Sequence, residues 1–191
     1  GTAVVEDANG NDVTAQFAVK TVAGSLTIDQ RKVTLTSATD SKQYDGTALT
    51  NHDVAVSGDG WADGEGATYD VTGSQTLVGS SANFFTYALN DGTKAANYAV
   101  TPIEGQLSVT NRDAKYEITV EAKSDEVLYD GSEHSVSGFK TLEFSENGQT
   151  YTVSGLTASA TATDAGTYPA NVSGTAVVED ANGNDVTAQF A

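Results

Sequence analysis

The sequence predicts an all-β fold: two related β-sandwich (Ig-like) domains in tandem. Three observations carry this: an identical repeat, a looser repeat nested inside it, and period-two alternation of apolar and polar residues. Residues 1–18, GTAVVEDANGNDVTAQFA, return without a gap as residues 174–191. Identity over so long a run is the mark of a tandem array whose units duplicated recently, and the chain reads as one period plus an overlap.

Within the period, TAQFAVKTVAGSLTIDQR (14–31) aligns with AANYAVTPIEGQLSVTNR (95–112), and VTLTSATDSKQYDGT (33–47) aligns with ITVEAKSDEVLYDGS (118–132). Three segments follow. Residues 1–30 are the terminal strands of a preceding repeat domain, 31–111 a complete domain, and 112–191 a second domain lacking its final strand.

The alternation identifies the strands in order. In SLTID (25–29), Leu26 and Ile28 share one face, and QLSVT (106–110) repeats this with Leu107 and Val109. Val33 and Leu35 in VTLT and Ile118 and Val120 in ITVE follow the same rule. Such patterning gives strands with one face buried and one wet, in a register that a one-residue slip would invert. DVAVSG (53–58), ATYDVTG (67–73), ANFFTYALN (82–90), TYTVSG (150–155), TASATAT (157–163) and TAVVED (175–180) are further strands between Gly, Asn and Asp turns. A β-grasp fold, with one helix across a sheet, is the alternative. TAVVED and DVTAQFAV read as a hairpin joined by Ala-Asn-Gly-Asn, because Asn-Gly accepts positive φ.

Composition agrees. Among 191 residues, 19 are Gly and only 2 are Pro, and no sustained helical periodicity or long apolar run occurs. Nine basic residues against 26 acidic ones give a formal charge of −17, a field that repels nucleic acid and anionic membranes. The absence of cysteine removes disulfides, thiolate catalysis and thiolate zinc sites.

The segment 112–191 would expose an open edge and part of its core, while residues 19–30 carry the strand it lacks. If each domain is elongated, with termini at opposite poles, that segment cannot reach its own chain's far end. Head-to-tail strand donation between chains is therefore expected.

The run "SKQYDGTALT", followed by "GDGWADGEGATYD", "LVGSSANF", "AANYAV" and "IEGQLSVTNR", resembles the YDG and MBG (mostly-β, glycine-rich) repeats of bacterial surface adhesins. A second copy carries "VLYDGSEH", "TDAGTYPANV" and "TAQFA", with Phe replacing Tyr in the last. The resemblance implies long extracellular proteins, secreted or held at the cell wall, whose tandem domains form a stalk or take part in adhesion. In the motif itself, Gly46 and Gly131 permit a positive-φ turn and Asp45 and Asp130 accept backbone N–H groups. Tyr44 and Tyr129 would bury their rings between sheets.

No enzyme is expected. His52 and His134 have unlike neighbourhoods and no nucleophile motif near them, and no cofactor or metal site is assigned. The Asp7–Asp12 loop resembles the start of a calcium loop, but its Gly is one position early and no Glu closes it. The loop GDGWADGEG (58–66) is the better oxygen-rich candidate and the weak candidate for ligand binding. Asp59, Asp63 and Glu65 surround Trp61, which either stacks on a host glycan or protein or folds back to cap the domain end. A Lys32–Asn97 isopeptide cross-link is disfavoured, because Glu117 stands at the place of Lys32 in the second domain. The expected role is a stalk or spacer whose partners are neighbouring repeats. The alternative is direct binding of host glycan or protein by the repeats.

Overall fold

A computed structural model describes every residue, Gly1–Ala191. The chain is all-β: twelve strands, three single-turn 3-10 segments and no α-helix. The β-grasp alternative needs a helix across a sheet, which this chain does not have. Contacts divide it into two compact units, Gly1–Gln30 and Arg31–Ala191.

The first unit is a local loop and not the two-stranded hairpin expected. Only one bridge forms, Glu6 with Asp12, and Thr14–Gln16 is a 3-10 turn. The cause is capture of backbone donors by side chains. Asp7 Oδ1 accepts the N–H groups of Asn9 (2.8 Å) and Asn11 (2.9 Å), Thr14 Oγ1 accepts from Val5 N (2.8 Å), and Asp12 Oδ1 accepts from Thr14 N (2.9 Å). Gly10 supplies the positive φ, 78°. SLTID (25–29) was expected to be a strand and is not, because its backbone has no partner to pair with. Every residue from 15 to 30 is exposed.

The second unit begins with eight strands in 31–111: β1 (Arg31–Ser37), β2 (Asp40–Gln43), β3 (Val54–Gly58), β4 (Ala67–Val71), β5 (Gly79–Asn83), β6 (Phe85–Leu89), β7 (Tyr98–Ile103) and β8 (Gly105–Thr110). They form three small sheets, ordered β3-β1-β7, β2-β8-β5 and β4-β6. Two ladders are parallel, β1 with β7 and β2 with β8, unlike the antiparallel pairing of an Ig sandwich. The parallelism has a simple origin. The path β1–β2 and the path β7–β8 run side by side, and both change sheets at the same level.

That crossing is a polar knot in the interior. Ser37 Oγ donates to Asn83 O (2.6 Å) and accepts from Gly105 N (2.9 Å). Asn83 Nδ2 donates to Ala38 O (3.0 Å) and Asn51 O (2.8 Å). Ser37 and Asn83 are buried, so these bonds satisfy carbonyls that the strand switch takes out of their ladders. A Cβ at position 105 would run into the carbonyls of Ser37 and Ala38, so only glycine fits. The predicted strand ANFFTYALN is split here too: β5 pairs β8, β6 pairs β4, and Phe84 marks the switch.

Residues 112–191 hold β9 (His134–Ser137), β10 (Glu143–Glu146), β11 (Gln149–Ala162) and β12 (Asn171–Asp180) in one antiparallel sheet. Two predicted strands, 150–155 and 157–163, are one 14-residue strand bent by a bulge at Gly155. ITVE (118–121) does not form the strand expected. Its segment makes only the bridges Tyr116–Phe190, parallel, and Ala122–Phe139. In 31–111 the matching strand β1 is held on one side by all six rungs to β7, whereas here Phe190 supplies just the first.

Two cores result. The smaller, around Val33, Leu35 and Tyr98, belongs to 31–111. The larger joins Tyr44, Leu107 and Val109 to Tyr151, Val153, Val178 and Phe190, so it draws on both halves of the unit.

Candidate functional site

Beside the shared core run Asn111, Arg112 and Asp113, the first and last exposed and Arg112 partly buried, and their hydrogen bonds reach residues on both sides of them in sequence. These three residues follow β8 within the unit Arg31–Ala191, and side chains bond across them. Arg112 N donates to Gln189 Oε1 (3.0 Å), and Gln189 Nε2 donates back to Asn111 Oδ1 (2.7 Å). Gln43 Nε2 reaches Asp113 Oδ2 (2.6 Å). The Arg112 guanidinium donates to Tyr44 O (3.1 Å), Tyr116 Oη (3.0 Å) and Ala114 O (2.9 Å), and its Cζ lies 3.8 Å above the Tyr116 ring. A cation over an aromatic face here contributes about 1–2 kcal/mol.

The YDG turn of the first half forms the other wall. Asp45 Oδ1 accepts from Thr47 N (2.9 Å), Thr47 Oγ1 (2.8 Å) and Lys42 Nζ (2.7 Å). Burial pushes the Asp45 carboxyl up, but the Lys42 and Thr47 bonds outweigh it and hold it below the ordinary range. Gly46 has φ 80°, and a side chain there would strike the Tyr151 hydroxyl and Gln149. Tyr44 is only 1% exposed, seated in the core that Tyr151 and Phe190 complete, with those two rings edge-on at 4.8 Å. Burial raises both the Tyr44 and the Tyr151 phenol above the ordinary range.

The second YDG turn has the same backbone: Gly131 has φ 81°, and Asp130 Oδ1 accepts from Ser132 N (2.8 Å). Its tyrosine differs, since Tyr129 is 62% exposed. Burial of the motif's ring is thus a property of the neighbour it meets. His134 Nε2 lies 2.9 Å from Asp130 Oδ1, and His52 Nδ1 lies 3.0 Å from Val71 O.

The GDGWADGEG loop is ordered by the first half's own residues. Asp59 Oδ2 accepts from Lys32 N (2.8 Å), its N–H donates to Lys32 O (2.7 Å), and Arg31 Nε donates to Gly60 O (2.9 Å). Trp61 is half-buried, edge-on to Tyr98 at 4.8 Å, with its Nε1 donating to Tyr69 Oη (3.3 Å). The Tyr98 hydroxyl donates to Glu65, a bond that raises its pKa and fastens the loop. Asp63 remains exposed. Two of the three carboxylates are thus engaged with the chain, and Trp61 caps the smaller core. Trp61→Ala is expected to destabilise 31–111 by about 2 kcal/mol, half the cost of a fully buried tryptophan, measured by urea unfolding. Lys32 and Asn97 are both exposed and lack the burial that isopeptide chemistry needs.

Sequence reasoning missed Arg112, Tyr116, Gln189 and Phe190 as a group. The one available signal was the polar Asn-Arg that closes "IEGQLSVTNR" immediately after an alternating strand. No family model matches the chain, and neither a curated protein nor a solved structure matches it significantly.

Proposed function

We propose that the chain is a repeat module of a bacterial surface adhesin, acting as an elongated stalk or spacer that projects a distal adhesive region. The observation that carries this reading is the joint. A spacer must resist bending where one unit meets the next, and here Tyr44 from one half is buried in a core completed by the other while Arg112 ties both to the linker. The repeat structure fits, since units that contact mainly neighbours can be added without disturbing the fold. A charge of −17 keeps crowded copies apart.

The test is a spin-label pair, one label on β4 and one on β12, read as a distance distribution. The native chain is expected to give one narrow peak, and Arg112→Ala a broader one. A native distribution as wide as that of a flexible linker would sink the spacer reading.

A further inference from the structure

The larger core is a fusion of two ends. Tyr44, Leu107 and Val109 bring one end of 31–111 to it, and Tyr151, Val153, Val178 and Phe190 bring one end of 112–191. Residues of 31–111 that match this second group stand on the other side of the polar crossing. GQTYTVSG (148–155) aligns with GATYDVTG (66–73), which puts Tyr69 in the place of Tyr151. Tyr98 takes the place of Phe190, since Tyr98 lies opposite Arg31 as Phe190 lies opposite Tyr116.

The two ends differ in their cover. Tyr151 is 1% exposed beneath Tyr44 and its turn, and a side chain at Gly46 would strike its hydroxyl and Gln149. Tyr69 and Trp61 pack on the smaller core but are only half-buried. Tyr87, opposite Tyr69 across β4 and β6, is 38% exposed. Trp61, Tyr69 and Tyr87 thus leave an aromatic surface where the matching end of 112–191 is sealed by a YDG turn.

We infer that this aromatic end is the seat for the Tyr129 turn of a preceding period in the array, a second copy of 112–191, so that a fused core recurs where one period meets the next. The occupant has the required shape. Gly131 and Gly46 have φ 81° and 80°, and Asp130 and Asp45 each accept the N–H two residues on. Tyr129 presents its ring outward, and the nearest atom to a Cβ at Gly131 is the Tyr129 hydroxyl itself, at 4.0 Å. Where Gln149 crowds Gly46, the seat has Ala67, a smaller side chain. One bond is not repeated. Arg31, the match of Arg112, is committed to Gly60 O (2.9 Å) and Asp59 O, so aromatic packing supplies the contact without a guanidinium tie to the tyrosine carbonyl.

This inference rests on the spacer reading for its purpose, since it names the partner at the spacer's other end. Because 174–191 repeats 1–18, appending residues 19–191 after Ala191 gives a two-period chain in phase. With Trp61→Phe in the first period, its only tryptophan is Trp61 of the second, to be compared with Trp61 of the one-period chain. Acrylamide quenching of that ring is expected to fall about two-fold, and its emission to move to shorter wavelength, because the docked turn removes water from it. Tyr129→Ala in the first period should restore the one-period values, whereas Tyr129→Ala in the second should leave the lowered quenching in place. Tyr129 is exposed in the one-period chain, so both variants are expected to fold.

Equal quenching in the one- and two-period chains, no response to the first-period Tyr129→Ala, or the same response to either variant would overturn the inference. The spin labels on β4 and β12 read the Arg112 joint within one period. A narrow peak with equal quenching would therefore sink this inference alone, and a broad peak with lowered quenching the spacer reading alone.

Discussion

Tyr44→Ala is expected to cost about 3–5 kcal/mol, while Tyr129→Ala, the same change in the same motif, costs about 0.5 kcal/mol or less. Tyr44 is 1% exposed in the joint core and Tyr129 is 62% exposed, so burial alone separates the two. Removing the Tyr44 ring takes its apolar surface from Tyr151 and Phe190 and leaves a cavity where the halves meet. The backbone turn should survive in both variants, since Asp45 and Asp130 hold it through their own carboxylates. Urea unfolding of the two variants side by side measures the difference. Equal losses would show that the tyrosine serves its turn and not the joint. The spin-label distribution should also broaden for Tyr44→Ala alone.

Asn83→Asp is expected to cost about 3–5 kcal/mol at neutral pH, among the largest single changes available in this chain. The Asn83 amide donates to the carbonyls of Ala38 and Asn51, and the residue is completely buried. A carboxylate would aim negative charge at two acceptors and offer no proton. Burial raises the pKa of such a group, so the folded state favours its neutral form. The penalty should accordingly be smallest below about pH 4 and grow as pH rises, until the carboxyl ionises in the folded state as well. Asn83→Ala, which loses the donors without adding charge, should cost less and show no such slope. Thermal unfolding from pH 3 to 8 distinguishes them.

Alternation was the legible part of this fold. Leu107/Val109, Val33/Leu35 and Val153 obey period two and are buried as expected. Leu26/Ile28 and Ile118/Val120 obey it equally well and form no strand, because the pattern records a face to be covered and says nothing about what covers it. The loop at Asp7 was misread for another reason. Asn-Gly signals a turn between strands, but Asp7, Asp12 and Thr14 compete locally for the N–H groups those strands would use. The strand crossing was invisible in prospect. Ser37, Asn83 and Gly105 are far apart in sequence, and each looks like an ordinary surface or turn residue. Trp61 stood out because it is the only tryptophan, yet its packing on Tyr98 depended on a contact 37 positions away that no local pattern encodes.

The loop at residues 5–14 and its duplicate at 178–187 are made by the same internal bonds, although Phe17 is 57% exposed and Phe190 only 5%. A stretch that shapes itself without help from its surroundings makes a forgiving seam. Unequal crossing-over within it would join two genes in frame and return a polypeptide that still bends correctly at the splice, so arrays could lengthen or shorten over generations while each recombinant remains foldable.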